Sequence, residues 1–195
     1  MVGYVPEYRD EVQAWDYANH LFQVIDPELE RGYVSFIPTT DGKNLVKRKW
    51  FEVDSFDRRE THTYGVVPER GFGAYIREEF GVEGRPLPPF RRVRYDVNCE
   101  SLITGHVYGI FFDAVSLIGA PEVQMKQCEL EHLRSRTVVE PNSDAVLREM
   151  SDISQWLEAF LVEEGVRTMR TYYSKLTFLL DAVAVRPDLT VDGNS

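Results

Sequence analysis

Cysteine is scarce in this chain. Cys99 and Cys128 are the only two, and they fit no metal-binding or redox spacing. A disulfide-stapled secreted scaffold is therefore excluded, and the expectation is two buried thiols in a reducing cytoplasm. Long apolar runs are also missing. None approaches the ~20 residues of a membrane-spanning helix. The opening MVGYVPEYRDE has neither a basic n-region nor an apolar core, so no signal peptide is expected. Positive charge is in deficit, with 22 Lys and Arg against 32 Asp and Glu and a net charge of −10. That balance argues against nucleic acid or an acidic membrane as partner. A small anion held by a local basic cluster remains open. The four histidines show no HExxH spacing, and no P-loop, GxGxxG or nucleophile elbow is present.

What the chain does have is a globular composition, 43% hydrophobic and 12% aromatic, enough for one sizeable core. We expect a single domain over 1–185, with 186–195 as a flexible tail, in a monomer or homodimer. Near-helical apolar spacing predicts a helix over Asp10–Ile25, ended by Pro27. Strands are expected at Arg31–Pro38, Asn44–Val53 and Arg58–Val67, with Asp54–Asp57 joining the last two. Gly71–Phe80 reads as a short helix and Gly81–Pro89 as a loop. Phe90–Cys99, His106–Val115 and Val123–Leu133 follow as strands, the last two joined by a turn at Ile118–Pro121. Ser143 is expected to cap a helix that carries an apolar stripe from Val146 to Leu161 and ends at Gly165. A second helix is expected at Thr168–Val183. Many short strands between helices point to an α+β fold built on an antiparallel sheet or barrel.

The strands are unusually charged. Lys47 and Lys49 share a face; so do Arg58, Glu60 and His62, and so do Arg92, Arg94 and Asp96. Glu129 and Glu131 also share a face, roughly 7 Å apart at ~3.3 Å rise per residue. On the outside of a sheet such groups are ordinary solvated charges. Inside one they need cross-strand pairing, water, metal or an anionic ligand.

Arg92-Val-Arg94, Asp113 before Leu117-Ile-Gly119, Glu129-Leu-Glu131, a helix ending at Gly165, and Tyr173-Ser174-Lys175 occur in that order. Over residues 90–183 this ordered set resembles the CYTH domain of the triphosphate tunnel metalloenzymes. Glu28-Leu-Glu30 is similar to the start of the family's first strand, but Gly32 stands where the family has Lys. The resemblance implies an eight-stranded antiparallel tunnel barrel with flanking helices. It implies a metal-dependent phosphohydrolase acting on an inorganic, organic or nucleoside triphosphate, with Mg²⁺ or Mn²⁺ as cofactor. Metal ligands would be Glu129, Glu131, Asp113, Glu28 and Glu30. Phosphate binders would be Lys47, Lys49, Arg58, Arg92, Arg94 and Lys175, with Glu60 beside them. The catalytic set would be Glu129, Glu131, Lys47, Arg92 and Arg94. The chemistry is sound, because hard cations take carboxylate oxygens while Arg and Lys bind phosphate. A repurposed, non-catalytic barrel binding a small phosphate-containing or other ligand is the alternative. A class IV-type nucleotidyl cyclase is a further one.

Overall fold

Glycines, prolines and short β-rich runs break the chain into strands from the start. The structure, a computed structural model of the 195-residue chain, describes residues 2–7, 13–51, 59–136 and 142–191. Strand β1 (Tyr4–Pro6) is followed by β2 (Gln13–Asp26) and a 3₁₀ turn at Glu28–Glu30. Next come β3 (Gly32–Pro38), β4 (Asn44–Trp50), β5 (Glu60–Val66) and helix α1 (Phe72–Phe80). Then follow β6 (Glu83–Pro86), β7 (Phe90–Ser101), β8 (His106–Leu117) and β9 (Ala120–Ser135). Helices α2 (Ser143–Glu163) and α3 (Lys175–Val185) and a 3₁₀ turn at Pro187–Leu189 complete the order. The fold is α+β, as expected. Its nine-stranded sheet runs β5-β4-β3-β2-β7-β8-β9, with β1 on β7 and β6 on β2. Among the described residues β5 and β9 end this path, so the sheet does not close into the expected eight-stranded barrel. No described helix is long and apolar enough to cross a membrane.

Five expectations are corrected. The helix expected over Asp10–Ile25 is strand β2 where it is described. Leu21 joins one apolar cluster with Phe90 and Leu179, while Phe22 and Val24 join another with Val34 and Phe36. A strand covered on both faces loses its alternation, and its apolar spacing then imitates a helix. Trp15, expected on the helix's apolar face, is 51% exposed and donates its indole N–H to Asp96 Oδ2 at 3.0 Å.

Part of the Gly81–Pro89 loop is strand β6, which places Gly84 opposite Val24 and Pro86 opposite Phe22. A Cβ on Gly84 would lie 3.1 Å from Ile76 and 3.3 Å from Phe22, so glycine lets α1 pack over this strand. Pro86 is accommodated because β6 lies off the main strand path and pairs with β2 alone among the described strands, an edge position where a missing N–H is tolerated.

The second C-terminal helix starts at Lys175, not Thr168. Ser174 caps it, its hydroxyl accepting from Thr177 N–H at 3.2 Å. The cap of α2 is likewise one residue earlier than expected, Asn142 Oδ1 accepting from Asp144 N–H at 2.9 Å. Finally, Cys99 is buried but Cys128 is exposed.

The chain divides into two compact units, each with its own core. The first comprises 1–15, 93–114 and 126–171. Its core joins Cys99, Tyr108 and Ile110 to Ile153 and Leu157 of α2. The second comprises 16–92, 115–125 and 172–195, and holds the two clusters that meet on β2. Each fully buried Leu, Ile or Phe in these cores contributes ~1.5–3 kcal/mol.

Candidate functional site

In the second unit the charged strands β4 and β5 pair so that Lys47 lies opposite His62 and Lys49 opposite Glu60. Residues two apart on a strand point the same way, so Lys47 and Lys49 stand on one face. Both reach the same carboxylate. Lys49 Nζ is 2.6 Å from Glu60 Oε2, and Lys47 Nζ is 3.5 Å from Oε1. His62 Nε2 also contacts Glu60 Oε1. All three of Lys47, Lys49 and Glu60 are less than a third exposed. Burial alone would raise the Glu60 pKa, but Lys49, His62 and Lys47 outweigh it and bring the carboxyl down to about 2. The Lys47 pKa is lowered as well, for a different reason. Burial lowers its pKa, and the charges of Arg92 and Lys49 add to the fall although Glu60 opposes them. Arg92 is 7% exposed and donates from Nη1 to the Tyr17 hydroxyl at 2.8 Å. Lys47, Lys49, Arg92 and Glu60 therefore form one electrostatically coupled group.

The other residues proposed for this half are placed differently. Glu28 and Glu30 lie on the 3₁₀ turn rather than on a strand. Glu28 pairs with Arg31, and both side chains are mostly exposed. Glu30 accepts from Trp50 Nε1 and from Arg48. Arg48 is 1% exposed, so its charge is spent inside the fold. Its Nη1 donates to Lys49 O at 2.6 Å, its Nη2 donates to Glu30 O, and its guanidinium lies 4.4 Å from the Trp50 ring centroid. Lys175 is buried at the first residue of α3. Arg58 lies outside the described residues.

In the first unit, β7 presents Arg94, Asp96 and Asn98 on its covered side, while Tyr95 and Val97 are the more exposed. Arg94 binds Asp113 with both carboxylate oxygens, Nε to Oδ1 at 2.8 Å and Nη2 to Oδ2 at 3.0 Å. Its Nη2 also donates to Glu129 Oε2, and Asp96 Oδ1 lies 3.9 Å from Nε. The guanidinium sits 4.2 Å from the Phe111 ring centroid. The Asp113 side chain has no solvent exposure. Glu131, two residues from Glu129 on β9, is exposed.

A metal centre built from the implied ligands would need several carboxylates with lone pairs directed at one point. Arg94 instead takes both oxygens of Asp113 and one of Glu129. Among the described residues no group of three His, Cys, Asp or Glu side chains is placed to hold an ion. The residues as arranged do not fit the implied Mg²⁺ or Mn²⁺.

A second polar cluster of the first unit was not legible in the sequence. Glu149 of α2 accepts from Ser101 Oγ at 2.6 Å, Thr104 Oγ1 at 2.9 Å and Tyr108 OH at 2.7 Å. Burial opposes ionisation of Glu149, but these three hydroxyls hold its pKa below the usual range. Burial and Glu149 together push the Cys99 thiol up to about 11, so it is inert. Close by in sequence, Ser135 Oγ bridges His106 Nδ1 at 2.7 Å and His132 Nε2 at 3.2 Å. Only the Ser-x-x-Thr-x-x-x-Tyr spacing hinted at a shared acceptor, and Glu149 lies 41 residues beyond Tyr108. No protein-family model matches the chain, and no curated protein matches it either.

Proposed function

We propose that the chain is a divergent, non-catalytic relative of the CYTH-like proteins that binds a small phosphate-bearing anion at the basic face of β4. The observation that carries this reading is that Lys47 and Lys49 both reach the carboxylate of Glu60, with Arg92 in the same field. A phosphate oxygen placed between the two ammonium groups would relieve their mutual repulsion, as Glu60 does now. Partial burial strengthens that attraction, because the local dielectric is lower than in water. The two lysines act as point charges, and Arg92 supplies directed donors. The net charge of −10 suits a small ligand better than a polyanion, whose remaining charges the surface would repel.

Hydrolysis is not part of this reading, because Asp113 and Glu129 are already directed at Arg94. The test is calorimetric titration with tripolyphosphate, pyrophosphate and inorganic phosphate, with Mg²⁺ and with EDTA, alongside an assay of phosphate release. Saturable binding in EDTA without release supports the reading. No binding of any of the three by folded protein overturns it. Metal-dependent release overturns the non-catalytic part and restores the phosphohydrolase.

A further inference from the structure

The structure assigns to Arg94 the place of a divalent cation: its guanidinium is the built-in counter-ion of Asp113, Glu129 and Asp96, and it makes that acidic group independent of metal. Three carboxylates gathered on covered strand faces repel one another strongly and need a cation among them. Here a side chain of the same strand supplies it. Arg94 lies two residues from Asp96 on β7, so both project to the same side. Its planar fork meets Asp113 with two parallel hydrogen bonds and reaches Glu129 with Nη2. Phe111 lies beneath the guanidinium at 4.2 Å, two residues from Asp113 on β8. The charge is thus held in position by three strands and a ring. A hydrated ion would have to displace it while leaving a buried guanidinium without partners.

This inference concerns the first unit and does not depend on anion binding by β4. Its test uses the whole 195-residue chain. Arg94→Met keeps the side-chain volume and removes the charge. Its melting temperature should fall by about 10 °C, as expected for breaking a buried pair in a chain of this size. Neutralising the partners in the triple variant Arg94→Met, Asp113→Asn, Glu129→Gln should recover at least half of the loss. A purely packing role would give no recovery, because the added substitutions would only add damage. Titration of the wild type with Mn²⁺ alone should show no saturable site tighter than about 1 mM. No recovery in the triple variant overturns the proposal. So does a tighter Mn²⁺ site in the wild type that Glu129→Gln removes.

Discussion

Gly32 and Arg48 occupy one space. A Cβ on Gly32 would lie 2.8 Å from Arg48 Nη1 and 1.9 Å from the Lys49 carbonyl oxygen. The backbone of Gly32 has φ +148°, a conformation that L side chains rarely adopt. A lysine side chain has no room to start at this position. The buried guanidinium of Arg48 holds the carbonyls of Glu30 and Lys49 where that side chain would start.

Gly32→Ala should therefore destabilise the chain by on the order of 2–4 kcal/mol, through strain and overpacking together. Urea denaturation measures it. A loss below ~0.5 kcal/mol would mean that the Lys49 carbonyl and Arg48 both give way freely.

Glu149→Gln should cost about 1–3 kcal/mol, because three hydroxyl donors lose a charged acceptor and meet an amide that is half donor. Glu163→Gln, at an exposed position on the same helix, serves as the control and should be neutral. Equal effects at the two sites would show that the hydroxyl cluster contributes nothing.

Acid should weaken the fold in two stages. Burial lowers the pKa of His20, and burial and His106 lower that of His132, both from 6.5. Their unfolded forms take protons first, so stability present above pH 6.5 is lost as pH falls through that region. Glu60, with its pKa near 2 against an ordinary 4.5, contributes stability above pH 4.5 that disappears as pH falls toward 2. Urea midpoints taken between pH 8 and pH 3 should decline in both windows. His132→Gln should flatten the upper one. An upper window unchanged by that substitution would show that His132 titrates alike folded and unfolded.

Lys47→Ala and Lys49→Ala should each raise the Kd for tripolyphosphate about tenfold, equivalent to ~1.4 kcal/mol. Added salt should weaken binding to the wild type as well. Arg31→Ala, an exposed arginine already paired with Glu28, should leave Kd unchanged. If Arg31 matters as much as the lysines, binding follows net charge rather than the β4 face.

The sequence by itself determined most of the strands, the helices α1 and α2, and the residues that share each face. Period-two alternation and turn residues are local signals, legible without knowing what lies across the sheet. Alternation in β7 showed that Arg92, Arg94 and Asp96 point together. It could not show which side of the strand is covered, because a period of two is the same read from either side. Tertiary structure decided that the polar side is the covered one, and it paired Arg94 with Asp113 from 19 residues away. It also made β2 a strand despite helical spacing, because clusters on both faces remove the alternation that would have marked it. The partners of Glu60 and Glu149 were settled in the same way. Which cation or hydroxyl meets a carboxylate depends on strand register and helix docking, and both are fixed by contacts between residues far apart in the chain.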